Sequence, residues 1–158
     1  MASQRALIID DNRMLAATVA DILSESGFEV DVAYSGLDGL IMWRERPADL
    51  VIVDVDLPDI GGLKIARRLL RRAVECHLVV MSAEDPQRLL PLIEELGATF
   101  LAKPFTPSHL VATVRLVVQQ RTARRVLSAG QGRGARRLLG SRRPPALLQH
   151  SRPGPKDH

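Results

Sequence analysis

Short apolar runs and longer stretches of helical spacing alternate along the chain, each run bounded by turn-forming or polar residues. The first run is Ala6-Leu7-Ile8-Ile9, and the residues after it predict a helix from about Met14 to Ser26. Leu15, Val19, Ile22 and Leu23 share one face of that helix and Gly27 stops it. A second strand is expected over Glu29–Ala33, where Val30 and Val32 alternate with Glu29 and Asp31 as in a half-exposed edge strand. A helix from Gly36 to Arg46 follows, ended by Pro47. Leu50-Val51-Ile52-Val53 is apolar at every position, the mark of a central parallel strand covered on both faces, and precedes a helix from about Leu63 to Arg72. Leu78–Met81, a helix over Pro86–Leu96, a strand over Thr99–Ala102 and a helix opened by Thr106-Pro107 and running to about Gln120 or a little beyond complete the series. This strand–helix alternation predicts an α/β fold, a parallel sheet with helices on both faces.

The chain has 158 residues, 46% of them hydrophobic, enough for one ordinary domain. The single cysteine, Cys76, allows no internal disulfide and no cysteine cluster for zinc, so a reducing cytoplasm is the expected setting. Met1–Arg5 has no apolar signal core, and every long apolar run is broken by Asp or Arg before it could span a bilayer. The charge is divided. Residues 1–120 carry 12 Lys+Arg against 17 Asp+Glu, a net of −5, whereas residues 121–158 carry ten bases and one acid, a net of +9. The overall +4 therefore describes the end of the chain and not its folded part. The expected organisation is a domain over 1–122 and a basic, disordered tail over 123–158.

Open parallel sheets place their sites outside the carboxyl ends of the strands. Asp10-Asp11 follows the first strand, Asp54 the third, Ser82 the fourth and Lys103 the fifth. Taken singly, each has an ordinary explanation, the acids as turn formers or helix caps, Ser82 as a cap and Lys103 as a surface charge. Together, in this order, they converge on one rim. Clustered carboxylates repel unless a cation neutralises them, and a hard divalent ion such as Mg²⁺ suits a few carboxylates, a carbonyl and waters. Lys103 can neutralise phosphoryl charge, Ser82 can donate a hydrogen bond, and Asp54 can attack phosphorus in line. The implied chemistry is acyl phosphate formation, which adds charge and three acceptor oxygens to the rim.

Asp10-Asp11, Asp54-Val-Asp-Leu-Pro58-Asp-Ile-Gly-Gly62, Met81-Ser82-Ala83 and Lys103-Pro104-Phe105 resemble the response-regulator receiver family of bacterial two-component systems, over residues 4–120. The resemblance implies a flavodoxin-like doubly wound sheet in the order 2-1-3-4-5. It also implies Asp54 as phosphoacceptor, Mg²⁺ on Asp10, Asp11, Asp54 and the backbone carbonyl of Asp56, and Ser82 and Lys103 on the phosphoryl group. A cis peptide before Pro104 is implied as well. Phe100 falls where the family has a rotating aromatic switch, though an ordinary core phenylalanine fits the sequence equally well. Family membership further implies a sensor histidine kinase or histidine phosphotransfer protein as donor and a downstream protein target, and leaves open a homodimer through the last helices.

Asp56 and Glu84, each two residues past a site residue, stand near the path of attacking water and are read either as modulators of phosphoryl hydrolysis or as solvated loop charge. Asp59 and Gly61-Gly62 read as turn chemistry. Cys76 and His77 read as packing and edge residues, Arg67, Arg68, Arg71 and Arg72 as a solvated helix face, and Trp43 as a packed residue, with surface docking as the lesser alternative. In the tail, Gly130, Gly132 and Gly134 and then Arg142-Arg143-Pro144-Pro145 are expected to break any long helix, leaving no room for a helix-turn-helix output domain. Its charge could grip nucleic acid, anionic lipid or an acidic neighbour, or it could be a solvated extension; the lack of aromatics weakens the nucleic-acid reading. Two functions follow: a phosphorylatable signalling receiver with only slow self-dephosphorylation as catalysis, or a phosphorylation-independent adaptor binding nucleic acid or membrane through the tail.

Overall fold

The computed structural model describes residues 3–72 and 75–137. Five strands and five helices alternate: β1 (Arg5–Ile9), α1 (Arg13–Glu25), β2 (Glu29–Ala33), α2 (Gly36–Glu45), β3 (Leu50–Asp54), α3 (Gly62–Arg72), β4 (His77–Ser82), α4 (Pro86–Glu95), β5 (Thr99–Ala102) and α5 (Pro107–Arg137). All neighbouring strands pair in parallel, in the order β2-β1-β3-β4-β5. The expected sheet is thus observed, with β2 at an edge as its alternating pattern required.

The sheet divides the core in two. Leu7, Ile9, Val51 and Val53 face one layer with Trp43, Ile65 and Leu69, and Ala6, Ile8, Leu50 and Ile52 face the other with Val19, Leu23 and Leu110. Period-two alternation sends successive residues of one strand to opposite layers, so a central strand with helices on both sides must be apolar throughout, as β3 is. Helix ends are capped: Asn12 and Ser35 cap α1 and α2, Asp85 caps α4 ahead of Pro86, and Gly27, the expected stop, turns the chain after α1 at φ +95°.

One expectation is corrected. The last helix does not end near Gln120; α5 continues to Arg137, through Gly130, Gly132 and Gly134. Interior glycine costs a helix about 1 kcal/mol against alanine but forbids nothing, and the Ala, Arg, Leu and Gln residues among which these glycines stand are strong helix formers. Residues 123–137 are therefore helical rather than disordered, while the Arg142–Pro145 segment lies outside the described residues. The chain divides into two units, Met1–Arg121 and Thr122–His158, and the sheet lies in the first. Among the described residues no helix is long and apolar enough to cross a membrane.

Candidate phosphoacceptor site

Every strand of a parallel sheet delivers its next residue to the same rim, and here that rim collects charge. The β1 ladder extends to the bond from the Asp10 amide to the Ala33 carbonyl, 3.1 Å, leaving the Asp10 side chain fully buried. Its Oδ1 accepts from the Asn12 amide at 2.9 Å. Asp54 is the last residue of β3, 4% exposed and level with Met81 of β4; its Oδ1 accepts from the Asp56 amide at 3.2 Å. Asp11 is exposed at the mouth. Carboxylate oxygens of Asp10, Asp11 and Asp54 all lie within 4.8 Å of one another.

Lys103 enters from the end of β5. Its Nζ is 3.0 Å from Asp54 Oδ2 and 3.4 Å from Asp10 Oδ2. Its amide donates to the carbonyl of Ser82 at 2.8 Å, and the Lys103-Pro104 peptide is cis. Ser82, the last residue of β4, is fully buried, and its Oγ accepts from the Glu84 amide at 2.9 Å. Burial raises the Asp10 carboxyl above its ordinary value, opposed by the Asn12 amide and the Lys103 charge. Burial alone would lower the Lys103 ammonium, but its hydrogen bond to Asp54 and the charges of Asp10 and Asp54 outweigh this and raise it, so it stays protonated.

Three carboxylates against one ammonium leave an excess of negative charge in a partly buried place. The donors are all hard oxygens, with one member exposed to admit water, which fits a magnesium-type cation and fits neither a thiolate-binding metal nor an organic cofactor. The structure thus brings Asp10, Asp11, Asp54 and Lys103 into contact distance and sets Ser82 on the adjoining strand end. Phe100 is half-buried against the layer containing Ile65 and Leu89, three residues before Lys103. The Asp56 side chain is exposed and that of Glu84 partly so.

Two contributors escaped the sequence reading. Asn12 both caps α1, accepting from the Leu15 amide at 3.1 Å, and donates to Asp10. Asp59, read as a turn residue, accepts from the amides of Gly36 and Leu37 at 2.9 and 2.8 Å, joining the loop after Asp54 to the start of α2. Asn12 before an amphipathic run was a cap signal in plain view; the Asp59 contact spans more than twenty residues and left no local mark. Gly62 does more than turn the chain, since a Cβ there would collide with the carbonyl of Asp54.

A doubly wound five-stranded sheet with an acid cluster, hydroxyl and lysine at its carboxyl rim defines a phosphoacceptor module, and residues 6–115 match the response regulator receiver domain. The chain belongs to that family, the receivers of two-component response regulators. It is 34% identical over 123 residues to the transcriptional regulatory protein CreB of Escherichia coli, covering 76% of this chain and 53% of that protein. The match thus spans about half the length of this relative. Among solved structures, the CheY-like receiver domain of Methylobacillus flagellatus is 30% identical with a TM-score of 0.66, covering 73% of this chain and 99% of its own. The receiver domain protein of Methanospirillum hungatei shares the fold at a TM-score of 0.71 and 21% identity, over 77% and 99% of the two chains.

Proposed function

We propose that Asp54 accepts a phosphoryl group from a phosphohistidine of a sensor kinase or phosphotransfer protein in the cytoplasm, and that the acyl phosphate alters a surface read by a downstream protein. The observation that carries this reading is the approach of Lys103 Nζ to Asp54 Oδ2, 3.0 Å, within a cluster of three carboxylates. An Asp54 carboxylate oxygen attacks phosphorus, the P–N bond breaks, and the electron pair leaves on the imidazole. Lys103 exchanges its contact with Asp54 for one with a phosphoryl oxygen, and the Ser82 hydroxyl donates to another. Asp10, Asp11, Asp54 and the Asp56 carbonyl would hold Mg²⁺, which supplies charge neutralisation of the phosphoryl oxygens. Phe100, on β5 three residues before Lys103, is the residue through which the change at Ser82 reaches the surface of the last helices, where a second copy could pair. Hydrolysis reverses the switch, with Asp56 and Glu84 setting its rate through their charge.

Intact mass after incubation with Mg²⁺ and acetyl phosphate tests the reading. Wild type is expected to gain one phosphoryl group only with Mg²⁺ present, and Asp54→Asn none; the same gain in Asp54→Asn would overturn the assignment. Asp56→Asn is expected to change the decay rate of the phosphorylated form, and an unchanged decay removes Asp56 as a modulator. A phosphorylation-independent adaptor would rest on the basic charge beyond residue 120 alone, and the complete acid, hydroxyl and lysine set favours the switch.

A further inference from the structure

Away from the phosphoacceptor rim, α2 and α3 leave a groove between them with a cavity of about 490 Å³, within the range of natural binding clefts. Leu37 and Ile41 of α2 stand on it with 55% and 43% of their surface exposed, an uncommon fate for large apolar residues that share a wall. Arg44 from α2 and Arg68 and Arg72 from α3 line the same groove; all three are exposed and make no ion pair among the described residues. Trp43 also lines it, and its buried indole N–H has no acceptor among the described residues, which is costly for a desolvated donor.

An apolar floor rimmed by unpaired guanidinium groups is complementary to one kind of occupant. We infer that the α2–α3 groove docks an acidic, apolar-faced segment of a partner protein, its Leu- or Phe-type side chains on Leu37, Ile41 and Trp43 and its carboxylates on Arg44, Arg68 and Arg72. Guanidinium favours carboxylates because its planar fork matches them, and recurrent helix-in-groove recognition uses this combination of apolar anchors and rim charge. The end of this chain is a poor occupant, since residues 121–158 carry ten bases and one acid and would be repelled. A concave cleft between two helices also suits inserted side chains better than the flat interface of a bilayer.

Trp43 is the sole tryptophan of the chain, so it reports on the groove directly. The full chain is titrated with a synthetic amphipathic peptide of roughly four helical turns, with leucines on one face, glutamates flanking them and no aromatic residues. Saturable change in Trp43 emission is expected. The double variant Arg68→Glu/Arg72→Glu, at exposed positions and checked for folding by circular dichroism, should weaken binding by at least about tenfold through like-charge repulsion, while Arg88→Glu on α4 leaves it unchanged. Equal affinity in the double variant would overturn the proposal, placing the peptide on the basic end of the chain. A Trp43 response to phosphatidylserine vesicles without one to the peptide would also overturn it, in favour of a membrane. So would self-association of the unliganded chain that the double variant abolishes, which would make the groove a contact between copies.

Discussion

Asp59 shows how one side chain can tie a reactive loop to a distant helix. It holds two amides at the start of α2, and those amides keep its carboxyl below its ordinary value of 3.8. A carboxyl lowered on folding stabilises the protein above its unfolded value, and the contribution disappears as pH falls through the folded value. Asp59→Asn is therefore expected to lower the urea midpoint at neutral pH, and its deficit relative to wild type should shrink as pH falls below 3.8. A deficit constant with pH would assign the effect to shape rather than charge. At this scale the candidate site was largely legible, because Asp10, Asp54, Ser82 and Lys103 each directly follow an apolar run and Asp11 stands next to Asp10. Asp59 was not, because its bonds depend on where α2 sits over the sheet.

At the scale of elements, α3 begins against the strand that bears Asp54. The Gly62 amide donates to the Val55 carbonyl at 3.0 Å, and a Cβ at Gly62 has no space beside the Asp54 carbonyl. Gly62→Ala must push the two elements apart, at a cost of about 1–3 kcal/mol typical of overpacking. Chemical denaturation should read that loss, and phosphorylation by acetyl phosphate should slow with it, since the backbone displaced belongs to Asp54 itself. An unperturbed midpoint would mean that the loop relaxes freely. Nine of the ten elements could be placed from periodicity within a residue or two of their observed ends. The end of α5 could not, because its glycines mark breaks only where neighbouring residues do not favour helix.

For the molecule as a whole, the acid cluster sets stability against function. Burial raises the Asp10 carboxyl, so folding without a cation opposes its ionisation; the resulting penalty grows as pH rises above 3.8 and is complete above the folded value. Asp10→Asn is expected to raise the stability of the metal-free protein at neutral pH, with the gain fading as pH falls from the folded value toward 3.8. Mg²⁺ at a hundred times its dissociation constant should stabilise wild type by about 2.7 kcal/mol, and Asp10→Asn far less, in thermal melts at matched ionic strength. A variant that gained as much as wild type would take Asp10 out of the cation site.

The strand order has one more consequence. β3 carries Asp54 and is hydrogen-bonded along both sides, to β1 and to β4, with every one of its residues buried. The proposed phosphoacceptor is thus mounted on a strand held on both sides and buried throughout, as a fulcrum is set in the bed of a balance. Whatever is placed on Asp54 cannot be absorbed by the strand beneath it and must tilt something lighter. The arms available are the connections beyond the strand ends, from Asp56 to Gly61 and from Ala83 to Asp85, together with Lys103. If Asp54 is phosphorylated as proposed, softening the central strand at a position other than Asp54 is expected to weaken the response of these connections without touching any residue of the chemistry.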